Sequence, residues 1–369
     1  MKVVVVGGGI VGLSTAWALA RRGTAVTVVE RGPIPNPLAA SSDHHRLIRS
    51  AYPNHPLYCR RMAAALSTWR AMWTDLGGEE ARYYAARGML SLSRETGDDG
   101  DLARRVMVAE GVAHEHITDA AEIATRFPFL EPGNIASATL AEGGALMANR
   151  ILADLADWLR RQGAAVLEHS PVEAIDPRGS VRLADGRMLT GDAVIVASGT
   201  GTGRLVPELS SRLSFHRTLI VYAAPPAELA QTWANAPCWT DLGGDDDLWG
   251  MPPIDGIPAK LGCGRLRRID AEDTDRTMLA EEVAAMLAAY RARFRGIERF
   301  TVRFHQANYW VGAPESRFVL ERDDRLWAVS ACSGHGFKFG ALSGQDIAAA
   351  VLGDEPIDQV SARMAALTA

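Results

Sequence analysis

A chain of 369 residues, 47% hydrophobic, can bury a large core and is longer than one compact domain usually fills, so two domains are expected. A formal net charge of -5 gives no general attraction to nucleic acid or to an anionic membrane. Four scattered cysteines (Cys59, Cys238, Cys263, Cys332) form no C-x-x-C pair and no cluster with histidine, which argues against a zinc site or a disulfide framework and fits a reducing cytoplasm.

The chain opens on VVVVGGGIVGLSTAWALARRGTAVTVVE, Val3 to Glu30. Four valines predict a buried parallel strand, Gly7-x-Gly9-x-x-Gly12 a tight turn into a helix, and Val26 to Val29 a second strand ending on Glu30. Gly7 allows the turn, Gly9 admits a pyrophosphate against the backbone, and Gly12 lets the helix sit close to the strand. The backbone N–H groups at the helix start, Ile10 and Val11 among them, face the phosphates, while Glu30 and Arg31 stand at the ribose end. The same run also fits a secretory leader, Lys2 followed by uncharged residues to Ala20. However, three consecutive glycines break it, and cleavage would leave Thr24 to Glu30 without its partner strand. No later segment is apolar enough to span a bilayer.

After Glu30, prolines 33, 35 and 37 interrupt the fold, so the sheet must be completed by distant segments. Helices are predicted over Tyr58 to Leu76, Leu102 to Gly111, Asp119 to Phe127, Ala148 to Gln162, Asp273 to Phe294 and Ala341 to Leu352. Strands are predicted over Gly88 to Ser93, Ala165 to His169, Ala193 to Ala197 and Leu326 to Ala331, with a hairpin at Asp185-Gly186. An antiparallel region takes in Leu219 to Ala223, Trp249 to Gly264 and Phe300 to Val311. The expected architecture is α/β: a discontinuous Rossmann-like dinucleotide-binding domain (1–84, 145–206, 318–369) and a mainly antiparallel-sheet substrate or cap domain (85–144, 207–317). The run Ser333-Gly334-His335-Gly336-Phe337-Lys338-Phe339-Gly340 is a second glycine-rich helix entrance. Its positive end suits a ring that gains negative charge on reduction.

The order of GGGIVG with Glu30, SSDHHRLIRSAY (Ser41 to Tyr52), WGMPPIDGIPAKLG (Trp249 to Gly262), ANY (Ala307 to Tyr309) and SGHGFKFG (Ser333 to Gly340) resembles the flavin-dependent amine and amino-acid oxidases of the D-amino-acid oxidase superfamily, monomeric sarcosine oxidase branch. The resemblance covers essentially the whole chain and implies FAD. It implies that Arg49 and Lys338 hold a substrate carboxylate, that Arg46 lies nearer the flavin, that Lys260 activates O2, and that Tyr309 lies in the active site. Ser41, Ser42, Val172, Ser198, Gly199, Gly334, His335, Gly336 and Phe337 join the glycine motif as expected cofactor contacts. A planar fork and an ammonium can clamp a carboxylate, and a cation beside flavin N5 stabilises superoxide as it forms.

Three departures qualify the resemblance. Ala307 stands at the family's cysteinyl-flavin position and cannot form a thioether, so non-covalent FAD is expected. A histidyl link through His44 or His45 occurs in the wider superfamily, but solvated or capping histidines are the expectation here. Gly264 replaces an active-site histidine and Trp249 a tyrosine, which should open one side of the pocket and add an apolar wall on another. A larger or cyclic amino acid is therefore expected rather than sarcosine. The implied activity is oxidation of a carboxylate-bearing secondary amine or imino acid with O2 reduced to H2O2. The alternatives are a dehydrogenase using another acceptor and a catalytically silent dinucleotide-binding protein. The expected partners are a small-molecule substrate and O2, in a cytoplasmic monomer or weak homodimer with no nucleic acid and no membrane.

Overall fold

The four valines do form the central strand of the molecule. In a computed structural model, which describes residues 1–131, 133–330 and 332–367, Lys2–Val6 pairs in parallel with Ala25–Val29 on one side and Ala193–Val196 on the other. The full sheet runs Val319–Asp323, Leu326–Ser330, Ala193–Val196, Lys2–Val6, Ala25–Val29, Ala165–Leu167, and only the first of these is antiparallel. Val3, Val4 and Val5 are fully buried: Val3 and Val5 pack under the helices of one face, and Val4 packs with Val172, Val181 and Leu183 of a three-stranded antiparallel sheet, Val172–Asp176, Ser180–Leu183 and Met188–Thr190, on the other.

Helix Ile10–Ala20 and helix Gly340–Leu352 cross over one face so closely that a Cβ at Gly344 would lie 2.4 Å from the Ser14 backbone. A Cβ at Gly340 would likewise meet Ile10, so the two glycine-rich helix entrances lie side by side at the carboxyl ends of the strands. Ligands bind at that edge of an open α/β sheet. Helix Pro56–Leu76 packs beneath them. Its Trp69 stacks on Phe337 at 5.9 Å and donates from Nε1 to the Lys338 carbonyl at 2.8 Å, fixing the C-terminal loop.

A second, nine-stranded sheet covers the cleft. Its order is Arg268–Asp270, Ser214–Ala224, Ala259–Cys263, Leu248–Met251, Cys238–Asp241, Met89–Ser93, Ser137–Ala141, His114–Ile117, with Thr301–Gly312 pairing onto Ser214–Ala224. Every strand of it comes from 85–144 or 207–317. A smaller sheet joins the regions, with Arg46–Arg49 and Tyr84–Ala85 both pairing to Gly143–Leu146.

Several predicted bounds move. The helix expected over Asp273 to Phe294 runs only Ala280–Arg291. Arg217 takes the carbonyls of Asp275 and Thr277, which keeps that stretch irregular, and the Leu279 N–H is capped by Glu282 at 2.9 Å. The helix expected from Leu102 starts at Asp99, capped by Asp98. The last residue of the strand expected over Leu326 to Ala331 lies outside the described residues. Strands Arg46–Arg49 and Val319–Asp323 and helix Ile357–Met364 were not anticipated. No described helix is long and apolar enough to cross a membrane.

Candidate active site and cofactor cleft

A cleft opens between the two helix N-termini. Gly7, Gly9, Ile10, Val11, Glu30, Arg31, Ser41, Val172, Ser198, Gly199, Gly336 and Phe337 line it. Gly7 has φ +116°, and a Cβ there would lie 2.4 Å from the Ala197 carbonyl, so only glycine fits the turn. A Cβ at Gly12 would overlap the Gly7 carbonyl, the expected close contact of helix and turn. The helix starting at Ile10 has no acidic residue in its first turn, which leaves its positive end open to phosphate. Glu30 accepts from the Gly8 N–H at 2.7 Å and from Asn36 Nδ2 at 2.7 Å, so it also braces the turn. Ser42 donates to Asn149 at 3.2 Å rather than lining the cleft.

The elements around the cleft carry buried polar atoms with no partner among the described residues. They are both ring nitrogens of His45, Arg49 Nη1, Gln306 Nε2, Asn308 Nδ2 and Ser330 Oγ. Buried polar groups are rarely left unmatched, so this set fits a polar ring system held between the helix ends and the covering sheet. His45 is fully buried, and burial together with nearby Lys260 pushes its pKa down to about 3. It is neither solvated nor a cap, contrary to expectation, whereas His44 is exposed.

Lys260 enters from the covering sheet, fully buried. Its Nζ donates to Asp43 Oδ2 at 2.5 Å and to the His45 carbonyl at 2.9 Å. Asp43 also accepts from Arg46, from Tyr222 and, at 2.8 Å, from the His44 N–H. Burial alone would raise the Asp43 carboxyl, but Lys260 and Arg46 outweigh it and hold it far below the ordinary carboxylate range. Burial pushes the Lys260 ammonium down to about 8 against the opposing pull of Asp43.

Arg49 and Lys338 come together. The Arg49 guanidinium lies 5.0 Å and the Lys338 ammonium 5.4 Å from the centre of the same Tyr52 ring. Burial and the Arg49 charge push Lys338 well below its ordinary value. Tyr52 Oη pairs with His335 Nδ1 at 3.3 Å, and His335 Nε2 with the Ser316 carbonyl at 3.0 Å. A carbonyl can only accept, so the proton sits on Nε2 and Tyr52 donates to Nδ1. Gly334, at φ +76°, packs against Trp310.

Register decides which cap residues face the dinucleotide domain. Met251 pairs with Lys260, Lys260 with Tyr222 and Tyr222 with Phe304, so residues in step with them share the side that meets the Asp43–His45 loop: Trp249, Thr218, Gln306, Asn308 and Trp310. Tyr309 is out of step. It shares the far face with Arg217 and Leu219, gives its hydroxyl to Asp270 and lies under Arg276 at 5.3 Å. The expected active-site tyrosine is thus turned away from the dinucleotide domain, because one residue along a strand reverses the face. Ala307 points the same way, into the cap core. Tyr309→Phe should leave flavin reduction and reoxidation within about twofold while costing about 1 kcal/mol of stability, read by single-turnover kinetics and thermal unfolding.

Trp249 lies flat over Gly262, with the Lys260 ammonium 5.6 Å from its ring. The opening expected at Gly264 is filled: a Cβ there would collide with the carboxylate of Asp247, itself 3.4 Å from Arg267. Asn36, Tyr222 and Trp310 lie outside the motifs read in the sequence, and Asp43, Tyr52 and Asn308 lie inside them without a role of their own.

Two helix ends over a nucleotide cleft, a covering sheet bearing a buried lysine, and two buried cations beside one tyrosine ring fit a flavin-dependent oxidoreductase. The chain belongs to the family described as DAO, FAD dependent oxidoreductase, whose model matches residues 2–350. It is 22% identical over 359 residues to peroxisomal sarcosine oxidase of Mus musculus, covering 93% of this chain and 90% of that protein. It is 23% identical over 366 residues to N-methyl-L-tryptophan oxidase of Yersinia pestis (strain Pestoides F), covering 96% and 95%. L-proline dehydrogenase from P. horikoshii superposes with a TM-score of 0.84 at 17% identity, covering 98% of this chain and 96% of that one. Glycine oxidase from Bacillus cereus ATCC 14579 superposes at 0.77 and 17% identity, covering 97% of each. At such identities the superpositions show the fold alone.

Proposed function

We propose that the chain is an oxidase of a secondary amine or cyclic imino acid that carries a carboxylate. The observation that carries this reading is Arg49 and Lys338 converging on one Tyr52 ring, with an unpartnered Arg49 Nη1. Fork and ammonium would hold the carboxylate, orienting the rest of the substrate under the lid formed by Trp249 and Trp310. Bound FAD would supply the hydride acceptor, with O2 taking the electrons to give H2O2. Lys260 supports O2 as that acceptor, since a buried cation stabilises developing negative charge. The residues supply no obvious general base, and none is needed if the amine enters neutral. The names of the two curated relatives, a sarcosine and an N-methyl-L-tryptophan oxidase, favour N-alkyl amino acids.

Anaerobic mixing with N-methyl, cyclic and aromatic amino acids tests the reading: at least one should bleach the flavin, and retained colour across the panel overturns it. A dehydrogenase is the second reading, favoured by the ion pairing of Lys260 with Asp43, which offsets the charge O2 would meet. Reoxidation in air over minutes or longer would select it.

FAD is proposed to bind without a covalent bond. Ala307 faces the cap core, Asn308 faces the dinucleotide domain, and Cys332, which lines the cleft, has its thiol pushed up by burial, leaving little thiolate to attack the ring. Acid precipitation should therefore leave the yellow colour in the supernatant. Colour in the pellet would point to Cys332, and a Cys332→Ala variant would then release it.

A further inference from the structure

The buried acid beside Lys260 has no role in the site as described so far. We propose that Asp43 is the positioning residue for Lys260, fixing where its ammonium stands and keeping it ionised inside the protein; this rests on the oxidase reading above. Asp43 comes from the loop between the dinucleotide unit and strand Arg46–Arg49, whereas Lys260 and Tyr222 come from the covering sheet. That loop is itself fixed: the Asp43 N–H donates to Asn149 Oδ1 at 3.0 Å, and the Asn149 N–H returns a bond to the Asp43 carbonyl at 3.1 Å. The carboxylate therefore stands at a defined point and draws the lysine to it.

The groups facing Lys260 are few. From the loop come Asp43 and His45, from the head of strand Arg46–Arg49 comes Arg46, from strand Ser214–Ala224 comes Tyr222, and from strand Leu248–Met251 the ring of Trp249. Arg46 repels the ammonium, His45 is neutral over most of the pH range, and the two rings offer only their faces. Among the described residues, Asp43 is the one acid that offsets the cost of burying this cation. A carboxylate with four donors, two of them cationic, holds its own charge throughout, so the pair behaves as a fixed dipole oriented from the loop toward the lid.

Two measurements test the assignment on Asp43→Asn, Lys260→Met and the double variant. In protein freed of FAD, Asp43→Asn leaves the buried Lys260 ammonium without its anion and Lys260→Met leaves Asp43 with Arg46 as its remaining cation, so each should lower the unfolding temperature, Asp43→Asn more, and the double variant should lose less than the two losses added. In the FAD-loaded, anaerobically reduced protein, reoxidation by O2 should slow above about pH 8 in the parent. In Asp43→Asn that limb should move to lower pH, with neutral-pH reoxidation slowed on the order of tenfold. Asp43→Glu keeps the charge but displaces it by one methylene. It should retain the parental limb with a lower plateau, and it serves if the asparagine variant does not fold. Additive melting losses, or an unmoved limb in Asp43→Asn beside a slow Lys260→Met, would overturn the role of Asp43 alone. Unchanged reoxidation in Lys260→Met would overturn the oxidase reading and the role with it.

Discussion

Arg49→Ala will raise the concentration of a carboxylate-bearing amine needed to reduce the flavin by on the order of 100-fold, the scale of about 2–3 kcal/mol for a lost charge-assisted bond. Lys338→Met should lose a similar amount, and the double variant less than the product of the two, because both cations grip one group and repel each other when it is absent. Titrating anaerobic bleaching against substrate concentration reads the effect. A neutral amide of the same substrate is the control: the parent should bind it as poorly as the variants bind the acid. A variant that discriminates acid from amide as the parent does would remove the carboxylate clamp. The depressed Lys338 adds a sign. Burial and the Arg49 charge lower its pKa in the empty site and an arriving carboxylate would raise it, so binding should take up protons and tighten as pH falls through the range in which that lysine titrates. Calorimetry in buffers of different ionisation enthalpy would detect the uptake.

Lys260→Met should leave anaerobic reduction within a few-fold of the parent but slow the reaction of reduced flavin with O2 by roughly 100-fold, the cost of removing a preorganised charge from a developing anion. The folded pKa of Lys260 is depressed to about 8, so the ammonium is present below that value and lost as pH rises through it. The parental O2 reaction should therefore decline on the alkaline side, and the methionine variant should show no such limb. Equal O2 reactivity of the two proteins would move the reading toward the dehydrogenase alternative.

The parts legible in the sequence were those whose logic is local. Strand, glycine turn, helix and acid within thirty residues need only each other, and the structure builds them as expected, down to the φ of Gly7. The pairing of Arg49 with Lys338 was legible only through resemblance, since nearly the whole chain lies between them. Asp43 was illegible for the same reason without that help: its partners Tyr222 and Lys260 lie 179 and 217 residues away. The face of Tyr309 was lost differently. Ala307, Asn308 and Tyr309 are adjacent, all three are buried, and a strand buried on both sides shows no polar alternation to set its register. Only the pairing of Ala307 with Leu219 and of Asn308 with Thr218 decides it. The filled space at Gly264 likewise depends on a neighbouring strand, which brings Asp247 across.

A histidine set among the groups that grip an acid would ordinarily act as a switch, gaining charge and strengthening the grip as the medium turns mildly acidic. His335 is denied that part. Burial first, and the adjoining lysine second, push its protonation down to about 3, while the Ser316 carbonyl and the Tyr52 hydroxyl occupy both ring nitrogens. If Arg49 and Lys338 hold the substrate carboxylate as proposed, its capture in mildly acidic solution should be indifferent to this imidazole, which serves as a rigid strut for the phenol ring beside the two cations.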